Sequence, residues 1–262
     1  MVHINDCTIA ASSLSLIEEF KAGLCKHVEV TNLGELHWML SVKIKWDHKA
    51  KTISLSQHAY INSILRCYNF DDLKPLSILM DPAIQLTSKQ ASATVAEHTI
   101  MHDKLYHEAV GAFNWAALTI HPNIAFAMST VAQFAANPGP AHWEAVKQIY
   151  CYLAGMCDLW LTYGETKQVF EGYADADGSI TEDRHAISGY MFLINGSAVS
   201  WSSKWQKIVL LSTTESKYVA ATHSMKEGLW LCSLLSKVCE PIKPPTTLFS
   251  DNQSAIALTC DP

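Results

Sequence analysis

The stretch SGYMFLINGSAVSWSS, residues 188 to 203, leaves its backbone few solutions. Asn195-Gly196 accepts positive φ at both central positions of a tight turn, and it stands between two apolar-rich runs. That predicts an antiparallel hairpin of SGYMFLI (188 to 194) against AVSWSS (198 to 203). VFEGYAD, from Val169, reads as a strand before it, and TLFSD (247 to 251) as a short buried strand after it. STTESKYVAATHSMKEGLWLCSLLSKV carries helical periodicity, weakened near Gly228, and NQSAIAL opens another helix. Three strands by hairpin, a helix, then another strand and helix predict an α/β sheet with flanking helices.

Upstream, MVHINDCTIAAS reads as a hairpin turning at Asn5-Asp6. SLSLIEEFKAGLCKHV spaces Leu16, Phe20 and Leu24 as a helix, with Ser13 or Ser15 as its cap. HWMLSVKIKWD (37 to 47) alternates like one strand, answered by KTISLS (51 to 56), and QHAYINSILRCYNF is a short amphipathic helix. Residues 71 to 104, with Pro75, Pro82 and TSKQASATVAEH, read as a linker or long loop. Two or three helices follow from Tyr106 to Leu161, interrupted at His121-Pro122 and at NPGP (137 to 140). The expected division is a first unit at 1–80, a linker at 81–105, a helical unit at 106–165 and the α/β unit at 166–262.

Hydrophobic residues at 49% and charged residues at 17% indicate a packed globular chain, and a net charge of −6 argues against a strongly basic nucleic-acid binder. The eight cysteines form no CxxC, so free thiols in a reducing compartment are expected rather than a disulfide scaffold or a zinc site. No run of about 18 apolar residues and no signal-peptide pattern is present, which predicts an intracellular protein without a membrane span.

Three acids occupy comparable places in the last unit. Asp175 closes its first strand, on the same face as Tyr173 and Asp177, where two neighbouring carboxylates repel unless a turn or a cation accommodates them. Glu215 opens the long helix, and Asp251 ends the strand TLFSD. Each has a structural reading as well. Ser212-Thr213-Thr214-Glu215 is an S-x-x-E capping box, and Asp251-Asn252 suits a helix N-cap. SWSSKWQK interleaves Trp201, Lys204, Trp205 and Lys207, which suits either a nucleic-acid surface or a half-buried strand. His98, His102 and His107 follow no metal-binding pattern and read as a solvated helix face.

GYADADG, the segment from SGYMFLINGS to MKEGLW, and LFSDNQSAIAL resemble, in order and spacing, the ribonuclease H region of copia-type LTR retrotransposon polyproteins. MVHINDCTIA is similar to that family's YVDD palm hairpin, NLGELHWMLSVKIKWD and SLSQHAYINSIL to its primer grip and thumb, and residues 106 to 155 to its connecting helices. The resemblance implies a ribonuclease H-like mixed sheet with flanking helices, preceded by a mixed α+β reverse-transcriptase palm and thumb remnant and a helical connection. It implies Asp175, Glu215 and Asp251 as catalytic ligands of Mg²⁺ or Mn²⁺, two ions about 4 Å apart hydrolysing RNA in RNA–DNA hybrids. Trp201, Lys204, Trp205 and Lys207 would face the hybrid. Asn5 and Asp6 would be vestiges of the polymerase site, since an amide stands where the family has a carboxylate and His3 where it has Tyr. Further departures are Gly178 for a usual Trp, Lys217 for an acid, and an end at Asp261-Pro262 before the family's fourth Asp. The expectation is therefore no polymerisation and weak or absent hybrid cleavage, the alternative being a non-catalytic remnant that binds nucleic acid or protein.

Overall fold

The computed structural model describes residues 2–4, 6–70, 72–81, 83–164, 170–177, 185–209, 212–238 and 246–260. Strands β1 (Val2–His3) and β2 (Asp6–Cys7) pair antiparallel with His3 opposite Asp6. Helix α1 (Leu14–Leu24) is capped by Ser13, whose hydroxyl accepts from the Leu16 amide. The run 37 to 47 is two strands rather than the one expected: β3 (Trp38–Met39) folds back on β4 (Val42–Asp47). Leu40 and Ser41 make that turn with φ of 49° and 64°, and left-handed backbone at non-glycine residues leaves little compositional trace. β5 (Thr52–Ser56) pairs with β4, with Asp47 opposite Thr52, as the spacing predicts.

Helix α2 (His58–Cys67) leads to the segment expected as a linker. That segment instead contains a 3₁₀ turn at Ser88–Gln90 and helix α3 (Val95–His102). Thr94 and Glu97 form a capping box there: Thr94 Oγ1 accepts from the Glu97 amide, and Glu97 accepts from the Thr94 amide. His98, His102 and His107 are exposed, as read from the sequence. Helices α4 (Tyr106–Thr119), α5 (Ala125–Ala132) and α6 (Pro140–Met156) follow, broken at the two proline sites.

The main core lies among these helices and includes Ile61, Phe113, Val131, Val146, Ile149 and Tyr150, all fully buried. α2 and Met101 of α3 belong to the same core, so residues on both sides of the expected linker pack together. The buried hydroxyls of Tyr106 and Tyr150 donate to the carbonyls of Val131 (2.8 Å) and Ala109 (2.9 Å), which removes the penalty of burying them. His142 locks the start of α6: its Nδ1 accepts from the Gly139 amide, its Nε2 donates to the Thr87 carbonyl, and its ring stacks on Phe134.

Strand β6 (Leu161–Tyr163) returns to pair with β5, completing a sheet in the order β3-β4-β5-β6. The last unit contains β7 (Phe170–Asp177), β8 (His185–Ile194), β9 (Ser197–Val209), α7 (Thr213–Val238), β10 (Thr247–Phe249) and α8 (Gln253–Cys260). Its sheet runs β10-β7-β8-β9, antiparallel except for β10, which is parallel to β7. Asn195 and Gly196 take φ of 52° and 80°, the turn their sequence predicts. Trp201 Nε1 donates to the Ala117 carbonyl, and the Tyr163 hydroxyl to the Ala198 carbonyl, tying this sheet to the helices and to β6. The described chain is thus mixed α/β. Among the described residues no helix is long and apolar enough to cross a membrane, and the cysteines are free.

Two stability predictions follow from the helical core. A Cβ at Gly139 would lie 1.8 Å from the Gln90 carbonyl oxygen, so Gly139→Ala should lower stability by roughly 1–3 kcal/mol, read from the urea midpoint. His121 is 4% exposed, and burial pulls its pKa down to about 4 from 6.5. The unfolded chain therefore takes up the proton first as pH falls. His121 alone should lower stability by about 3 kcal/mol between pH 6.5 and 4, and His121→Leu should remove that share of the slope.

Candidate functional site

Alternation along β7 buries Phe170, Gly172, Ala174 and Ala176 and leaves Tyr173, Asp175 and Asp177 exposed on the opposite face. β10 runs parallel beside it with Phe249 opposite Tyr173, their rings stacked 5.1 Å apart. Parallel pairing brings the carboxyl ends of both strands to one edge of the sheet, which sets Asp175 near Asp251. Asn252 then caps α8, its Oδ1 accepting from the Ala255 amide at 2.7 Å.

The two carboxylates meet on a lysine. Lys217 Nζ donates to Asp175 Oδ1 at 2.7 Å and to Asp251 Oδ1 at 2.5 Å. The lysine side chain is only 15% exposed, whereas the carboxylates are 72% and 70% exposed. Burial pulls the Lys217 pKa down, but the hydrogen bonds and charges of the two aspartates outweigh it, and the net shift is upward from 10.5. The hydrogen bond from Lys217 holds the Asp251 carboxyl below its ordinary 3.8.

Glu215 opens α7 as the sequence predicts, its amide donating to Ser212 Oγ at 3.2 Å, and its side chain is exposed. Two residues along a helix are roughly 200° apart around its axis, so Glu215 and Lys217 look in nearly opposite directions. The residue that α7 brings to Asp175 and Asp251 is Lys217. Among the described residues the three predicted acids do not form a group whose ligand atoms lie within 4.8 Å of one another. The sequence held a usable signal for this. Ser216, Ala220, Ser224 and Gly228 are small residues at helical spacing and form the buried face of α7. Lys217 flanks that stripe, and Glu215 stands far from it.

Beside the clamp lies an open cleft of about 520 Å³, walled by Tyr173, Tyr190, Met191 and Phe249 and edged by Asp175 and Asp251. The four residues expected to face nucleic acid are not gathered at one surface. Trp201 is held against α4 by its bond to Ala117, and Trp205 Nε1 is buried. Lys204 and Lys207 are exposed, and strand alternation puts Lys204 on the face opposite both tryptophans. Asp6 is exposed on its hairpin, and Asn5 lies outside the described residues.

The chain is 36% identical over 261 residues, 99% of its length, to the retrovirus-related Pol polyprotein from transposon TNT 1-94 of Nicotiana tabacum. It is 29% identical over its whole length to the retrovirus-related Pol polyprotein from transposon RE1 of Arabidopsis thaliana. This chain is a relative of retrotransposon Pol polyproteins. It spans 20% and 17% of the lengths of those two relatives. A stretch of 130 residues is also 40% identical to 90% of the secreted RxLR effector protein 161 of Plasmopara viticola. No family model and no solved structure matches.

The clamp predicts its own pH window. Asp251, lowered on folding, contributes stability above 3.8 that is lost as pH falls through its folded value; Lys217, raised, contributes below 10.5 until pH rises through its folded value. In Lys217→Met the Asp251 carboxyl should titrate back toward the ordinary range, as followed by carboxyl ¹³C NMR. An unchanged titration would show that the lysine does not set it.

Proposed function

We propose that this chain is a retrotransposon Pol remnant whose last unit descends from a ribonuclease H and no longer hydrolyses hybrids. The motif resemblance, the Pol relatives over the whole chain and a mixed sheet bearing Asp175 and Asp251 at adjacent strand ends support the lineage. One observation carries the loss of activity: the Lys217 ammonium stands between those two carboxylates.

Mg²⁺ or Mn²⁺ requires converging oxygen donors. Asp175 and Asp251 supply them, but the third group at that point is a cation that already neutralises the pair and repels another. The residues present do not fit the metal. Polymerisation has as little support, since Asp6 is exposed on a short hairpin and Asn5 beside it is an amide. Any hold on an RNA–DNA hybrid would rest on Lys204 and Lys207, because Trp201 is tied to α4.

Purified chain should leave an RNA–DNA hybrid intact in Mg²⁺ or Mn²⁺. Lys217→Glu should gain Mn²⁺ binding, measured by electron paramagnetic resonance, that Lys217→Met lacks or shows more weakly. Metal-dependent cleavage by the unaltered chain, abolished in Asp175→Asn, would refute the proposal. A Lys217→Glu chain that folds but binds no Mn²⁺ would show that more than the lysine separates this site from a metal centre.

A further inference from the structure

A second cluster lies away from the aspartate clamp, where the β3–β6 sheet meets the helical core. β5 leads into α2 and α6 leads into β6, and the pairing of Leu55 with Leu161 sets those two corners side by side. His58, just after β5, thereby meets Cys157 and Asp158, just before β6. His58 Nδ1 is 2.9 Å from Asp158 Oδ1, and one ligand atom from each of the three residues lies within 4.8 Å of the other two. Among the described residues this is the one such group of His, Cys, Asp or Glu.

An imidazole, a thiol and a carboxylate at one point form a mixed N, S and O donor set, which suits a borderline ion such as Zn²⁺ and not the hard Mg²⁺. Donors around a four-coordinate zinc stand roughly 3.5 Å apart, so the group closes by side-chain rotation, with the His58–Asp158 contact opening by about half an ångström. Asn62, one turn along α2, lies 2.8 Å from His58 Nε2 and fixes the ring. With Nδ1 on a metal, Nε2 carries the proton, and Asn62 accepts it through Oδ1 after an amide rotation. A Cys–His–Asp nucleophile does not fit as well. Both ring nitrogens are engaged, Nδ1 by Asp158 and Nε2 by Asn62, and neither is free to take the thiol proton. As an ion pair alone, His58 and Asp158 are 50% and 87% exposed and contribute little.

We propose that His58, Cys157 and Asp158 form a site for a zinc-class transition-metal ion, with a fourth position open to water, which clamps the β5–α2 corner to the α6–β6 corner. The site is independent of the Pol-derived reading above.

The test uses the full chain, stripped with a chelator and titrated with Co²⁺ as a coloured probe. A thiolate-to-cobalt charge-transfer band should saturate at one equivalent and be displaced by Zn²⁺. The band should be lost in Cys157→Ser and in His58→Ala, and Asn62→Leu should weaken affinity about tenfold or more. On the unaltered chain, where no variant can misfold, Zn²⁺ should protect Cys157 from alkylation, read on its peptide by mass spectrometry. The exposed thiol of Cys67 should not be protected. Failure of Zn²⁺ to protect Cys157, or a band that persists in both ligand variants, would overturn the proposal.

Discussion

The ring of Phe192 sits between a glycine of the sheet and a glycine of the helix. It is 2% exposed, and a Cβ would come within 2.5 Å of it at Gly172 and within 3.0 Å at Gly228. A larger residue at either place would force the Phe192 ring to shift. The buried cluster here is small, Phe170, Phe192 and Leu231, so this contact determines how close α7 lies and which way it is turned. Ser216, Ala220 and Ser224 keep the rest of the interface narrow. The first turn of α7 then carries Lys217 over the ends of β7 and β10, and the chemistry of that edge follows from the packing beneath it.

Two carboxylates at the ends of parallel strands repel each other and need a cation. Here the chain supplies its own. An ammonium on a side chain that is mostly buried is costly unless it is paired, and Asp175 and Asp251 pair it twice. Lys217 is held charged to higher pH and Asp251 to lower pH by their contact, and the one ammonium lies against both carboxylates of the edge. The cleft beside it is walled by Tyr173, Tyr190, Met191 and Phe249.

Much of the architecture was legible because its signals are local. The Asn195-Gly196 hairpin, the strand alternation that exposes Asp175, the Ser212 cap of α7 and the proline breaks between α4, α5 and α6 each depend on a few neighbouring residues. Two features are obscured by their surroundings. The capping box at Thr94 and Glu97 lay inside a stretch whose polarity suggested a linker, and its helix buries Met101 in the main core. The turn at Leu40 and Ser41 uses left-handed backbone that their side chains do not advertise.

The amino-acid sequence alone determined the order of strands and helices in the last unit and the placing of two acids at strand ends, since hydrogen-bonded periodicity and capping act over a few residues. Only the tertiary structure decided that Lys217 bridges Asp175 and Asp251, that Trp201 bonds the Ala117 carbonyl of α4, and that His58 meets Cys157 and Asp158. Each of those outcomes depends on the phase of a helix over a sheet or on the register of strands distant in the chain. The physical reason is that phase and register are set by close contacts between such distant segments, Phe192 against Gly228 and Leu55 beside Leu161, and no short stretch of sequence contains both partners.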